Sequence, residues 1–168
     1  IVKVFGVASI PVGGTTSLGF TLDNPNATVA LSNVGFFDGL PSGMAVATPN
    51  GLTGSCGGGT INATSGSTYV QLVGATLAGG ASCNFSVNVT GLTAGIKNNS
   101  VPASSLNGGT GDTSKASLTV AATLPPGITK VFGATSVYLS GTTSLSFTLE
   151  NPNAAVVLSP VTFFDGLP

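Results

Sequence analysis

The sequence predicts an all-β chain, an immunoglobulin-like β-sandwich built in tandem repeat. Three observations carry that prediction. Apolar and polar residues alternate over short runs, as where Leu18, Phe20 and Leu22 interleave with Ser17, Gly19 and Thr21. That is the period of a strand with one buried and one wet face. Clusters of Gly, Pro, Asn and Ser punctuate these runs at intervals of about 8–12 residues, the spacing of a sandwich. Finally, the stretch Ile1–Pro41 returns as Ile128–Pro168, without a gap, at an offset of 127 positions. Of the 41 aligned pairs 13 differ, leaving 28 identical. A repeat of that length is domain-sized, unlike short solenoid units that cannot bury a core alone. The expected organisation is one complete unit over residues 1–127 and the first third of the next over 128–168. A linker occupies about 122–127, stiffened by Pro125-Pro126.

Taken in order, Ile1–Phe5 is a short apolar strand, and Gly13-Gly14 turns the chain into the strand Thr15–Asp23. In the second copy Leu145, Phe147 and Leu149 keep the inner positions, while Gly19 becomes Ser146 on the outer face. Asn24-Pro25-Asn26 is a turn, since Pro fixes φ and Asn side chains bond nearby backbone. Thr28–Asp38 is the next strand, with Val34, Phe36 and Asp38 on one parity. Short strands follow at Met44–Thr48, Thr60–Thr64 and Thr68–Val73, the last two joined through Ser65-Gly66-Ser67. In Ser82–Thr90, Cys83, Phe85, Val87 and Val89 point inward. Gly95–Val101 is bounded by Pro102, Asn107–Thr113 reads as a Gly-rich turn, and Lys115–Ala121 closes the unit. A parallel β-helix is the rival architecture, but it needs internal repeats of about 20–30 residues, and the unit contains none.

Composition removes whole classes of function. Charged residues make up 5% of the chain and the net charge is −1, so there is no electrostatic handle for nucleic acid or an anionic membrane. No apolar run approaches the ~18 residues of a membrane span. The chain has no His, which removes Ser-His and Cys-His relays and His-based metal sites. Asp23, Asp38 and Asp112 are the acidic residues of the first unit, too scattered for a glycosidase pair. The run Asn107–Asp112 supplies one carboxylate where Ca²⁺ takes several oxygen ligands. No enzyme activity, metal or cofactor is expected. Cys56 and Cys83 read as one disulfide formed in an oxidising compartment, against the alternative of two buried thiols. The five Asn-X-Ser/Thr sequons are expected by chance in so Asn- and Thr-rich a chain.

Lys3-Val4-Phe5, Leu22-Asp23-Asn24-Pro25-Asn26, Phe36-Phe37-Asp38-Gly39-Leu40-Pro41, Gly51–Cys56 and Ala81–Val87 together resemble a family of conserved-repeat, Ig-like domains of large bacterial cell-surface proteins. The resemblance covers the whole 127-residue unit and continues into 128–168. It implies secretion to the cell surface, tandem arrays and a structural or adhesive role, and it names no ligand.

One constellation offers chemistry. Lys3, Asp38 and Asn99 each share strand parity with apolar neighbours, which directs all three into the core. Burial lowers a Lys pKa and raises an Asp pKa. A neutral amine is a nucleophile, and a protonated carboxyl can polarise the Asn amide, giving an intramolecular Lys–Asn isopeptide bond with loss of ammonia. Ig-like domains of bacterial pili and adhesins, which this chain resembles, carry such crosslinks, with Lys on the first strand and Asn on a late one. An ordinary Lys3–Asp38 salt bridge and a Lys3 that snorkels to water are the plainer readings. Lys130 and Asp165 repeat the first two members. The expected function is a segment of an extracellular filament, stalk or fibre whose partners are copies of itself, head to tail. The runner-up is an adhesin module binding glycan or a host surface.

Overall fold

The computed structural model describes every residue except Ala155 and Pro168; the closing residue of the second copy thus lies outside the described residues. The chain forms two compact units, Ile1–Ala122 and Thr123–Pro168. The first is an all-β, immunoglobulin-like sandwich of eleven strands: β1 (Val2–Phe5), β2 (Ser9–Pro11), β3 (Thr15–Asp23), β4 (Leu31–Gly39), β5 (Met44–Val46), β6 (Thr53–Ser55), β7 (Thr60–Asn62), β8 (Tyr69–Leu77), β9 (Ser82–Gly91), β10 (Gly95–Ser105) and β11 (Gly109–Ala121).

One sheet runs β1-β3-β9, with both β5 and β6 on the far side of β9. The other runs β2-β11-β10-β4-β8-β7. Leu18, Phe20 and Leu22 on β3 and Phe85, Val87 and Val89 on β9 are buried from the first sheet; Val34, Phe36, Val70, Leu72, Val101, Leu118 and Val120 meet them from the second. Phe20 lies between Phe36 and Phe85, with ring centroids 4.8 and 5.1 Å away. Offset aromatic contacts of this kind add to the plain area buried.

Several strands depart from their expected limits. The segment 28–38 enters the sheet only at Leu31, because Asn24 holds the preceding loop. β2 and β6 were not expected. Three-residue strands carry almost no periodicity, and β2 pairs in parallel with the distant β11. The Gly-rich run 107–113 is not one long turn: Gly109–Thr113 continues β11 and pairs with β10 through Pro102, where the register shifts. A bulge lets a strand accommodate a residue with no N–H to give. Cys83 is only half-buried, beside the fully buried Phe85, Val87 and Val89.

Cys56 and Cys83 are joined in a disulfide, with Cα atoms 4.9 Å apart and a sequence separation of 27. It ties the loop after β6 to β9. The second unit contains the hairpin β12 (Gly127–Phe132) and β13 (Leu145–Glu150). Its register, Lys130 opposite Phe147 and Phe132 opposite Leu145, is that of Lys3 opposite Phe20 and Phe5 opposite Leu18, moved along the chain by one repeat.

A crosslink closing a loop of that length restricts the unfolded chain. Replacing both cysteines by Ala is expected to lower the unfolding free energy by about 3–4 kcal/mol, measured by chemical denaturation with native β circular dichroism retained.

Candidate functional site

Three chemistry-bearing side chains converge between the sheets. Lys3 comes from β1, an edge of the first sheet; Asp38 and Asn99 come from β4 and β10, neighbours in the second. Period-2 alternation delivers each inward. Lys3 lies between exposed Val2 and Val4, Asp38 beside exposed Phe37, and Asn99 two positions before buried Val101. The backbone N–H of Lys3 also donates to the hydroxyl of Ser114 on β11, 2.8 Å away. β1 is therefore fastened to the second sheet by main chain as well as side chain.

The ammonium of Lys3 donates to Asp38 Oδ1 at 3.1 Å, and the Asn99 amide Nδ2 donates to Asp38 Oδ2 at 3.0 Å. The Lys3 and Asp38 side chains are wholly shielded from solvent. One carboxylate thus bridges the lysine nitrogen and the asparagine amide nitrogen. Removal from water dominates the electrostatics of both ionisable groups. It pulls the Lys3 ammonium below its ordinary pKa, opposed by the neighbouring Asp38 charge. It pushes the Asp38 carboxyl above its ordinary value, opposed by Lys3 and by the hydrogen bonds from Lys3 and Asn99. Both shifts favour a neutral amine beside a protonated acid, the form to which buried ion pairs retreat when charge is poorly solvated.

Two further buried polar residues hold structure that the sequence reading did not assign to them. Lys97 is buried two positions before Asn99 and donates to the Ser42 carbonyl and the Thr93 hydroxyl, each at 2.9 Å. Its parity with Asn99 and Val101 was the available signal. The loop beneath it needs Gly43, at φ +78°, since a Cβ there would collide with the Thr93 hydroxyl. Asn24, read as a turn residue, is also buried. Its amide reaches the carbonyls of Val29, Leu77 and Ala78, while its carbonyl accepts from Asn26. That clamp locks the turn to the start of the β8–β9 corner.

In the second unit Lys130 Nζ lies 2.8 Å from Asp165 Oδ1, with both side chains part-exposed. Elsewhere on the first unit, Phe37 and Tyr69 stack, ring centroids 5.0 Å apart, with Phe37 exposed. Among the described residues no three His, Cys, Asp or Glu side chains cluster as a metal would need. Among the described residues no helix is long and apolar enough to cross a membrane.

These features define a disulfide-linked, immunoglobulin-like β-sandwich with a buried Lys–Asp–Asn cluster joining its two sheets. The chain belongs to the family described as domain of unknown function DUF7933, whose family model matches residues 1–120. No curated protein matches it significantly. Among solved structures it is similar to the bacterial hydrophobin BslA, at 19% identity over 74% of this chain and 95% of that one, with a TM-score of 0.45. It is also similar to a cohesin module of a Clostridium perfringens family 33 glycoside hydrolase (12% identity, 72% and 96% covered, TM-score 0.48). A third is the collagen-binding domain of a Staphylococcus aureus adhesin (9% identity, 71% and 97% covered, TM-score 0.48).

Removing one partner of a buried pair strands the other charge. In an Asn99→Leu background, which isolates the ion pair, Asp38→Ala is expected to destabilise the first unit by about 3–5 kcal/mol. Adding Lys3→Met should recover most of that loss, as read from urea unfolding midpoints.

Proposed function

We propose that this chain is a load-bearing segment of an extracellular tandem-repeat filament, stalk or fibre, secreted and displayed at the cell surface. Each unit, residues 1–127 in the first case, is locked by its disulfide and by an isopeptide bond between Lys3 and Asn99. The observation carrying this reading is the buried contact of Asp38 with both nitrogens that the reaction must handle.

The proposed chemistry is balanced within the cluster. A proton passes from the Lys3 ammonium to Asp38, leaving a neutral amine. Nζ then forms a bond to Asn99 Cγ. Asp38 gives its proton to the departing Nδ2 and takes one from the new Nζ centre. The Cγ–Nδ2 bond breaks with its electron pair on nitrogen, and ammonia leaves. One amide N–H remains on Nζ, and Asp38 ends protonated in the apolar core. The lysine is consumed once, so this is maturation, not turnover. Asp38 is the proton carrier, and the surrounding Phe20, Phe36 and Val101 keep water from competing.

The mechanical consequence follows from where the bond sits. Force entering at Ile1 would cross from Lys3 to Asn99 and leave through β11, bypassing residues 4–98. The disulfide lies inside that bypassed loop. Low surface charge lets neighbouring copies approach without mutual repulsion, which suits head-to-tail or lateral packing of self-copies. The second reading, an adhesin for glycan or a host surface, draws on the exposed Phe37–Tyr69 stack, an apolar platform of the kind sugar rings cover.

Force spectroscopy in reducing buffer tests the mechanical role. The native chain should yield without releasing residues 4–98. Lys3→Ala should release them, adding roughly 300 Å of extension; equal extensions would contradict the reading. In reduced chain folded for the first time from a denatured, unbonded state, bond formation should peak at intermediate pH. It should slow in acid as Lys3 keeps its proton, and in alkali as Asp38 loses the one it must donate.

A further inference from the structure

A row of side chains crosses the face of the second sheet that points away from the core. On β4, Phe37 lies between buried Phe36 and Asp38 and is 59% exposed. On β8, half-buried Tyr69 and Gln71 flank buried Val70 in the same way. Successive strand residues point to opposite faces, so these three share the outward one. The register sets Phe37 directly opposite Gln71, and Gln71 directly opposite Asn62 on β7. The Phe37 ring stacks on Tyr69 at 5.0 Å between centroids, and Asn62 Nδ2 donates to Gln71 Oε1 at 3.1 Å. An aromatic platform and a bonded pair of amides thus lie side by side, spanning about 10 Å across three strands. Gly39, opposite Tyr69 in the register, has no side chain to cover the platform; a Cβ there would lie 3.9 Å from the edge of the Phe37 ring. Phe37 and Gly39 return in the second copy as Phe164 and Gly166, although Asn33 and Gly35 on the same strand become Pro160 and Thr162.

A single exposed Phe is ordinary; the chemistry beside it selects the ligand. Asp38 is the only Asp, Glu, Lys or Arg on β4, β7 and β8, and it is buried. The face therefore offers no charge to an anion or a cation. Two carboxamides hold four N–H donors and two carbonyl acceptors. The Asn62–Gln71 bond uses one of each, leaving both kinds for a ligand. A flat apolar ring next to uncharged donors and acceptors matches a pyranose whose hydroxyls ring its rim and whose C–H groups line its faces. Those C–H groups carry slight positive charge and meet the negative face of an aromatic ring. We infer that the outward face of β4, β8 and β7 binds a neutral polysaccharide built of such sugars. One sugar ring lies on Phe37, which Tyr69 braces from its other side, and the next presents its hydroxyls to Gln71 and Asn62. This rests on the second, glycan-binding reading given above and is independent of the Lys3–Asn99 bond. A platform recurring once per unit holds a polymer at several points, which raises avidity without new contacts.

The test titrates cellohexaose into the isotope-labelled full chain and reads amide chemical shifts by NMR. Saturable shifts are expected at Phe37, Gln71, Asn62 and their strand neighbours, unchanged at high salt because no charge takes part. Phe37→Ala should weaken binding about tenfold, and Gln71→Ala should weaken it by a smaller factor. Unmoved amides on β3 and β9 report that each variant is folded. No shift at any sugar concentration reached overturns the proposal. Shifts confined to other strands overturn this site while keeping a glycan-binding module. Binding that fades with salt overturns recognition of an uncharged ligand. Sedimentation equilibrium without sugar supplies the remaining outcome: self-association that Phe37→Ala abolishes, in a chain that takes no sugar, makes the row a contact between copies and overturns the proposal. None of these results bears on the Lys3–Asn99 bond, so the filament reading stands or fails separately.

Discussion

Placing the Lys3 ammonium between two apolar sheets constrains everything around it. A charge in that position must be paired, neutralised or consumed. Asp38 pairs with it, Asn99 satisfies the second carboxylate oxygen, and a polar bridge joins the two sheets through a largely apolar core. The neighbouring devices serve the same geometry. Ser114 anchors the main chain of β1 against β11. The Phe20, Phe36 and Phe85 rings fill the core beside the cluster.

A buried ion pair is by itself weak evidence of stability, since well-packed apolar residues do as well or better. That makes the cluster an odd choice for a purely structural core. An arrangement in which the charges are transient explains it better. Desolvation moves both groups toward neutrality, and the neutral forms are those the proposed bond requires. The disulfide between Cys56 and Cys83 then acts on a region that the proposed bond already shields from tension.

Much of this was legible in the sequence because strands report their faces. The alternation in Thr15–Asp23 and Ser82–Thr90 gave the core side of β3 and β9 directly, and the inward parity of Lys3, Asp38 and Asn99 could be read off the same way. The illegible parts have physical causes. β2 and β6 are too short to show a period, and their places depend on partners distant in sequence. Gly109–Thr113 has turn-like composition, yet the hairpin with β10 makes it a strand. The contacts of Lys97 are silent in the sequence because its partners, a carbonyl and a hydroxyl, leave no charge signature. The role of Asn24 as a three-carbonyl clamp depends on the β8–β9 corner, more than fifty residues away.

The most direct test of the central claim is the intact mass of the reduced chain, compared with that of Asp38→Ala. The account predicts a native chain one ammonia lighter than its sequence, and a variant at full mass. A native chain at full sequence mass would contradict it.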